Sequence, residues 1–393
     1  MTEPVAQASA QPGPPAGSLD VSIVMPCLNE EESVADCVRK ALGWIAQSGL
    51  TGEVIIVDNG SSDRSAEIAA AAGARVIHEP VRGYGSAIRR GFRDAYGKYL
   101  VMGDCDGTYE FGELDPLVRP LVEGSSQMVM GNRLTDRLAP GAMPWAHRFI
   151  GTPFISWVLR LFTGATITDS QCGLRAIRKD AVDQLDLRSP GMEFASEMIL
   201  KATRKGVQIT EVDIPYDVRT GESKLSTFRD GWRHLRFLML SSPSYIFLVP
   251  GFILLLLGLF SLGVMIFDAS GIQIGSLDWA PVFAAGIFFV IGINVLMLGL
   301  LSKLLAFRVG AVESRLVRFY HNYLGLERLL VLSLATLAVG AAVDAFVLIE
   351  RLGDSDRDLL PWAAVGQVFL VMGANLLFGA LAAAMVDHET AAS

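Results

Sequence analysis

The 393-residue chain reads as an α/β protein: a mostly parallel sheet in the first half, then a C-terminal region of four membrane-spanning helices. Three observations carry this reading. Short β-rich runs alternate with helical patterns as far as about residue 130, which is how a parallel sheet is written. Four apolar runs follow, each exceeding the ~20 residues a helix needs to cross a bilayer. Charged residues make up only 19% and apolar ones 51%, with a mean hydropathy of +0.40. Soluble domains carry roughly 25% charge, so a fully soluble or disordered chain is excluded. The 33 basic and 41 acidic residues give a net charge of −8. There is no global basic field for nucleic acid.

Residues 1–20 are rich in Pro, Ala, Gln and Gly, lack Lys and Arg, and read as a disordered tail, not a signal peptide. The α/β region is expected over 21–220. Strands fit 21–25, 53–57, 75–78, 99–102 and 127–130, and helices fit 33–47 and 64–72. Residues 221–244 read as an amphipathic juxtamembrane helix, because Phe228, Trp232, Leu235 and Met239 recur on one face while Arg229, Arg233 and Arg236 take another. Spans are expected at about 245–267, 280–301, 329–349 and 360–385 within 245–388, with an interfacial helix at about 303–327. Lys and Arg concentrate before the first span and between the second and third. By the positive-inside rule both termini and the α/β region face the cytosol, making this an integral protein of the cytoplasmic membrane. Cys27, Cys37, Cys105 and Cys172 form no CxxC pair, so neither a disulfide framework nor structural zinc is expected. His78, His147, His234 and His321 show no ligand spacing.

The chemistry-bearing residues fall after the strands, where open α/β sheets bind ligands. Pro26-Cys27-Leu28-Asn29-Glu30 follows the first strand and Asp58-Asn59-Gly60-Ser61-Ser62-Asp63 the second. Each alone is a turn with a helix cap. After the strand at 99–102 comes Gly103-Asp104-Cys105-Asp106-Gly107, two carboxylates two residues apart. Hard oxygens at that spacing can grip one Mg²⁺ or Mn²⁺, which neutralises a diphosphate. Three acid-bearing turns after successive strands point to a nucleotide-diphosphate site. The stretch 149–162 is nearly all apolar, too short to span, and reads either as a core helix or as a helix that touches lipid.

As an ordered set these motifs resemble family 2 glycosyltransferases of GT-A fold, and more closely the polyprenyl-phosphate glycosyltransferases. The resemblance covers about 21–250. Its carriers are Val24-Met25-Pro26 with Asn29-Glu30-Glu31, Val57 to Asp63, Arg82-Gly83-Tyr84-Gly85, Asp104-Cys105-Asp106, Gly131-Asn132-Arg133, Asp169 to Arg175, and Arg219 to Lys224. It implies that Pro26, Leu28, Glu30, Asp58, Gly83, Gly85 and Asp104 meet the nucleotide sugar. Asp104 and Asp106 would hold Mg²⁺ or Mn²⁺; the Gln that some relatives place two residues on is Thr108 here. Arg133, Arg148, Arg219 and Lys224 would meet diphosphate or acceptor phosphate, with Arg148 and Arg175 the weaker candidates. Asp169 would lie near the sugar and orient sugar or acceptor. The implied reaction is inverting transfer of a hexose from UDP-glucose or GDP-mannose to polyprenyl phosphate, a nucleophile already anionic at neutral pH.

Partners on this reading are a UDP- or GDP-hexose, polyprenyl phosphate and membrane lipid. A homo-oligomer is one of the states left open. Two rivals differ in class or chemistry. A processive polysaccharide synthase needs a Gln-x-x-Arg-Trp segment, which the sequence lacks. A catalytically dead, lipid-binding or flippase-like scaffold is disfavoured by intact Asp104 and Asp106.

Overall fold

Near-continuous apolar runs in the first strands dictate a sheet covered on both faces. A computed structural model of the chain describes residues 18–221, 227–241, 244–267, 272–274, 277–279, 282–308, 315–353 and 359–388. Two units emerge, Met1–Leu238 and Met239–Ser393. In the first, the elements run β1 (Leu19–Cys27), α1 (Val34–Ser48), β2 (Gly52–Asp58), α2 (Ser65–Ala71), β3 (Arg75–His78), α3 (Tyr84–Asp94), β4 (Gly97–Met102), α4 (Asp115–Val122) and β5 (Met128–Asn132). They continue with α5 (Thr152–Thr163), β6 (Arg175–Arg178), α6 (Lys179–Leu185), α7 (Phe194–Arg204), β7 (Ile209–Asp213) and α8 (Thr227–Ser241).

The seven strands lie in the order β3-β2-β1-β4-β6-β5-β7. Pairing is parallel except on both sides of β6, which runs antiparallel to β4 and β5. The sequence reading had five strands; β6 and β7 are additions. Four residues with Arg at both ends, and an edge strand reading Ile-Thr-Glu-Val-Asp, give little local signal. On one face Ile23, Met25, Val54 and Ile56 pack beneath α1 and α4. On the other, Val24, Ile55 and Val57 meet Ile88 and Phe92 of α3 and Phe194 and Met198 of α7.

Residues 149–162 bear out the core-helix expectation on one face and leave an exposed apolar face on the other. A π-helical turn (His147–Gly151) leads into α5. Ile155, Val158 and Leu159 are buried, while Phe149, Ile150, Phe154, Trp157 and Leu161 are exposed. In α8, Leu238 is buried in the α/β core beside Leu235 and Phe237, and His234 Nδ1 lies 2.9 Å from Ser196 Oγ. The C-terminal part of the expected juxtamembrane segment therefore has a packed face of its own. Residues 222–226, with Lys224, lie outside the described residues, as do 1–17 of the expected tail.

The second unit holds α9 (Val249–Phe267), a short hairpin of β8 (Ile272–Ile274) and β9 (Leu277–Trp279), α10 (Val282–Arg308), α11 (Arg315–Phe319), α12 (Gly325–Leu352) and α13 (Leu360–His388). Four helical segments are long and apolar enough to cross a membrane. The expected interfacial helix over 303–327 is not one element: 303–308 continue α10, whose Ser-Lys-Leu-Leu-Ala-Phe sequence contains no breaker. Then come α11, a π-helical turn (Tyr320–Leu324) and the start of α12. Glycines let helix backbones meet, as membrane helices require: a methyl on Gly340 would stand 2.7 Å from Leu370 N, and one on Gly292 2.8 Å from Leu255 N. Asp344, half-buried, has Oδ1 against Gly366, where an added methyl would lie 2.1 Å away.

Arg175 opens β6 fully buried and donates to the carbonyls of Cys172, Ala195 and Ser170 at 2.7 to 2.9 Å. Arg175→Met removes all three donors, so the folded state should lose about 3 kcal/mol. Thermal unfolding of the detergent-solubilised chain, followed by tryptophan fluorescence, checks this; a curve superimposable on the parent's refutes it.

Candidate active site

At the carboxyl ends of β1 and β2, two turns are laced together by side chains. Asn29, at φ 53, accepts the Ser62 N–H at 2.7 Å, and its own N–H donates to Ser61 Oγ at 3.0 Å. Glu30 N–H donates to Ser65 Oγ at 2.8 Å. Asp58 accepts the Ser61 N–H and lies 3.1 Å from His78 Nδ1. Burial pushes the Asp58 carboxyl up, but the Ser61 and His78 contacts outweigh it and leave the group below its ordinary value. His78, which showed no ligand spacing in the sequence, is thus a partner of a site acid. Pro26, Leu28 and Glu30 are half-buried along this edge.

Asn59 ties in the next turn, donating to Glu79 and Val81 carbonyls and accepting the Gly83 N–H at 2.6 Å. Gly83 has φ 142, and a methyl there would stand 2.2 Å from Pro190 O; one on Gly85 would stand 2.2 Å from Ser189 O. The chain's own 189–191 segment accounts for both glycines, where the sequence pointed to a nucleotide as the neighbour.

Asp104 and Asp106 follow β4. The turn is held from three sides: Ser33 Oγ–H donates to Cys105 O at 2.7 Å, Cys105 Sγ lies 3.2 Å from Pro26 O, and Thr220 N–H donates to Asp106 O at 3.0 Å. Asp104 Oδ1 is buried without a partner among the described residues. Its Oδ2 converges with the Tyr84 and Tyr109 hydroxyls, since all three lie within 3.4 Å of one point, the place of an added methyl on Gly173. Burial first, then the charge of Asp106, push the Asp104 carboxyl up to about 7, against the pull of Tyr84, Arg133 and Arg219. Thr108, at the third position, turns to Asp106: its N–H and Oγ–H both donate to Asp106 Oδ1, at 3.1 and 2.6 Å.

Arg133 and Asp169 form a buried two-pronged pair, Nε to Oδ2 at 2.7 Å and Nη2 to Oδ1 at 2.9 Å. Asp169 also accepts the Arg133 and Gln171 backbone N–H groups and is 0% exposed. Four donors thus engage Asp169, which ties it to Arg133 and to its own turn. The Arg133 guanidinium lies 5.1 Å from the Tyr216 ring centre. Arg219 reaches into the acids, Nη1 at 3.0 Å from Asp106 Oδ2 and Nη2 paired with Glu30. Arg148 is elsewhere, exposed on the π-helical turn over the Phe149 ring. Lys224 is outside the described residues. Tyr84, Tyr109 and Tyr216 were missed; only Tyr84 carried a signal, its place inside Arg-Gly-Tyr-Gly.

Residues 22–186 match the family model described as glycosyl transferase family 2. The low-salt glycan biosynthesis hexosyltransferase Agl6 of Haloferax volcanii is 35% identical over 364 residues, covering 91% of this chain and 87% of that protein. The chain belongs to glycosyl transferase family 2. A dolichyl-phosphate hexose transferase of the same organism is 32% identical, covering 54% of this chain and 89% of that protein. Among solved structures, glucosyl-3-phosphoglycerate synthase from Mycobacterium tuberculosis aligns with a TM-score of 0.47 at 23% identity, over 56% of this chain and 79% of that one. The enzyme's mostly parallel sheet, with acids after β1, β2 and β4, is the GT-A arrangement.

The glycosyltransferase's acids fit a divalent cation. Asp104 presents a buried carboxylate oxygen with no donor on it, the hard ligand Mg²⁺ or Mn²⁺ takes. Among the described residues no third His, Cys, Asp or Glu joins the pair as a ligand cluster.

A carboxyl raised from 3.8 to about 7 keeps a proton in the folded state that the unfolded chain has lost. Asp104's contribution to metal-free stability therefore declines as pH rises from about 4 to about 7, while metal affinity rises as the proton leaves. Thermal unfolding and Mn²⁺ titration across this range should move in opposite directions. Asp104→Asn should flatten the first; an unchanged unfolding profile refutes the assignment.

Proposed function

We propose that this glycosyltransferase moves a hexose from a UDP- or GDP-sugar to the phosphate of a polyprenyl phosphate, inverting the anomeric carbon. The observation that carries the reading is the Asp104–Asp106 turn, with one desolvated, unpartnered carboxylate oxygen, in a chain whose second unit has four membrane-length apolar helices. The hexosyltransferase and dolichyl-phosphate hexose transferase names of the relatives support the sugar class and the acceptor class.

On this reading Glu30 and Asp58 take the base and ribose, with Pro26 and Leu28 as their apolar wall and Gly83 and Gly85 fixing the adjoining turn. Bound Mg²⁺ or Mn²⁺ supplies charge neutralisation for the departing diphosphate. Arg133, held rigid by Asp169, offers its remaining edge to phosphate, and Arg219 and Lys224 serve the same anions. Arg148 stands with the exposed aromatic face of α5, which suits a lipid headgroup boundary. A lipid phosphate, with a second pKa near ~6, attacks as an anion. No general base is needed, and the saturated Asp169 is not asked to be one. The positive-inside pattern supports a cytosolic side for both termini and the α/β unit.

The test is transfer of radiolabel from a panel of UDP- and GDP-sugars into the organic phase, by detergent-purified enzyme with and without polyprenyl phosphate and metal. Label with one donor, requiring both additions, is expected. Donor hydrolysis with no labelled lipid would overturn the acceptor. Asp106→Ala should reduce transfer by at least about a hundredfold while the protein stays folded; near-parent turnover removes the paired acids from the chemistry.

A further inference from the structure

Arg219 occupies the place where a cation is wanted. Its fork joins two acids brought together from different strand ends: Asp106 Oδ2 at 3.0 Å and Glu30. Its Nε is buried without a partner among the described residues. Because Thr108 holds the other oxygen of Asp106, a metal that is to engage Asp106 through Oδ2 competes with a guanidinium for it. The segment carrying Arg219 is sewn to the same turn, through Thr220 N–H to Asp106 O and Asp217 N–H to Thr108 O at 2.9 Å. A displaced fork therefore stays within reach of whatever anion the metal brings.

We infer that Arg219 is an internal substitute for the divalent cation, and that it makes metal binding conditional on the diphosphate. Metal alone would have to compete with the charge-assisted contact on Asp106 and meet a guanidinium's charge at short range. Metal arriving with a nucleotide diphosphate offers that guanidinium phosphate oxygens in exchange, and forked donors suit them well. The exchange is a coupling between two ligands and is reciprocal: each raises the affinity for the other. The enzyme would thus leave free metal largely unbound and accept it with the donor. This inference rests on the nucleotide-diphosphate reading above and deepens it by giving the site an order of assembly.

The experiment measures Mn²⁺ binding to the detergent-purified full chain by electron paramagnetic resonance, with no acceptor present, alone and with UDP or GDP. The parent, Arg219→Gln and Arg219→Lys are compared. Arg219→Gln should bind Mn²⁺ alone about fivefold or more tightly than the parent, and the gain from nucleotide should shrink by a similar factor. Arg219→Lys keeps the charge without the two-pronged bridge and should fall between them, which preserves the test if the neutral variant does not fold. Equal affinities for Mn²⁺ alone in the parent and the folded variants would overturn the inference while leaving the donor reading standing. Absence of Mn²⁺ binding to every protein even with nucleotide would remove the donor reading, and the inference with it.

Discussion

Two carboxylates two residues apart, one of them desolvated, cannot both stay ionised without positive charge nearby. The architecture of the site follows from that constraint. Asp104 answers it by holding its proton up to about 7, and Asp106 by taking Arg219 and Thr108 as partners. The polar lattice behind them, from Ser33 to Cys105 O and from Thr220 to Asp106 O, fixes the turn, so that the repulsion is not relieved by moving the backbone apart. Charge that cannot spread must be met by a ligand or an internal cation. That is the physical opening for the metal and for Arg219 alike.

The reversal at β6 builds the other wall. Were every strand parallel, the segment before β6 would emerge at the far end of the sheet. Running antiparallel to β4 and β5, β6 instead starts at the end where β4 finishes, with Arg175 paired to Met102. This brings Asp169 to Gly173 beside the Asp104 turn, where Gly173 N–H donates to the Tyr109 hydroxyl at 2.7 Å. Arg175 anchors the reversal by satisfying the Ser170 and Cys172 carbonyls of the buried turn and tying it to the Ala195 carbonyl of α7.

What could be read from the sequence was what local pattern encodes. Apolar runs gave β1 to β5 their places, helical periodicity gave α1 and α2 within a residue at each end, and acids directly after strands marked the turns. The four membrane-length helices needed only composition. What could not be read were pairings across distance: Arg133 with Asp169 is separated by 36 residues and Arg219 with Glu30 by 189. The glycines of the Arg-Gly-Tyr-Gly turn are instructive. Sequence marks that a side chain is unwelcome there, but whether a ligand or the chain itself crowds the position is a tertiary fact, and here Ser189 and Pro190 supply the crowding. Likewise Thr108 looked like a lost ligand until its two donors were seen on Asp106.

The buried Arg133–Asp169 pair bears on the kind of nucleophile the enzyme can use. A general base needs a lone pair facing the acceptor and a pKa near the working pH. Asp169 has neither an exposed atom nor an oxygen without donors, and breaking its pair would leave an uncompensated buried charge at a cost of about 3 to 5 kcal/mol. Asp104 is poised near neutrality but is committed to the cation on the proposed reading. Neither is needed as a base on that reading, because a phosphate monoester arrives already deprotonated. On the proposed reading, an anionic acceptor suits a site whose Asp169 is already engaged by four donors, and the membrane-length helices of the second unit suit a lipid-borne one.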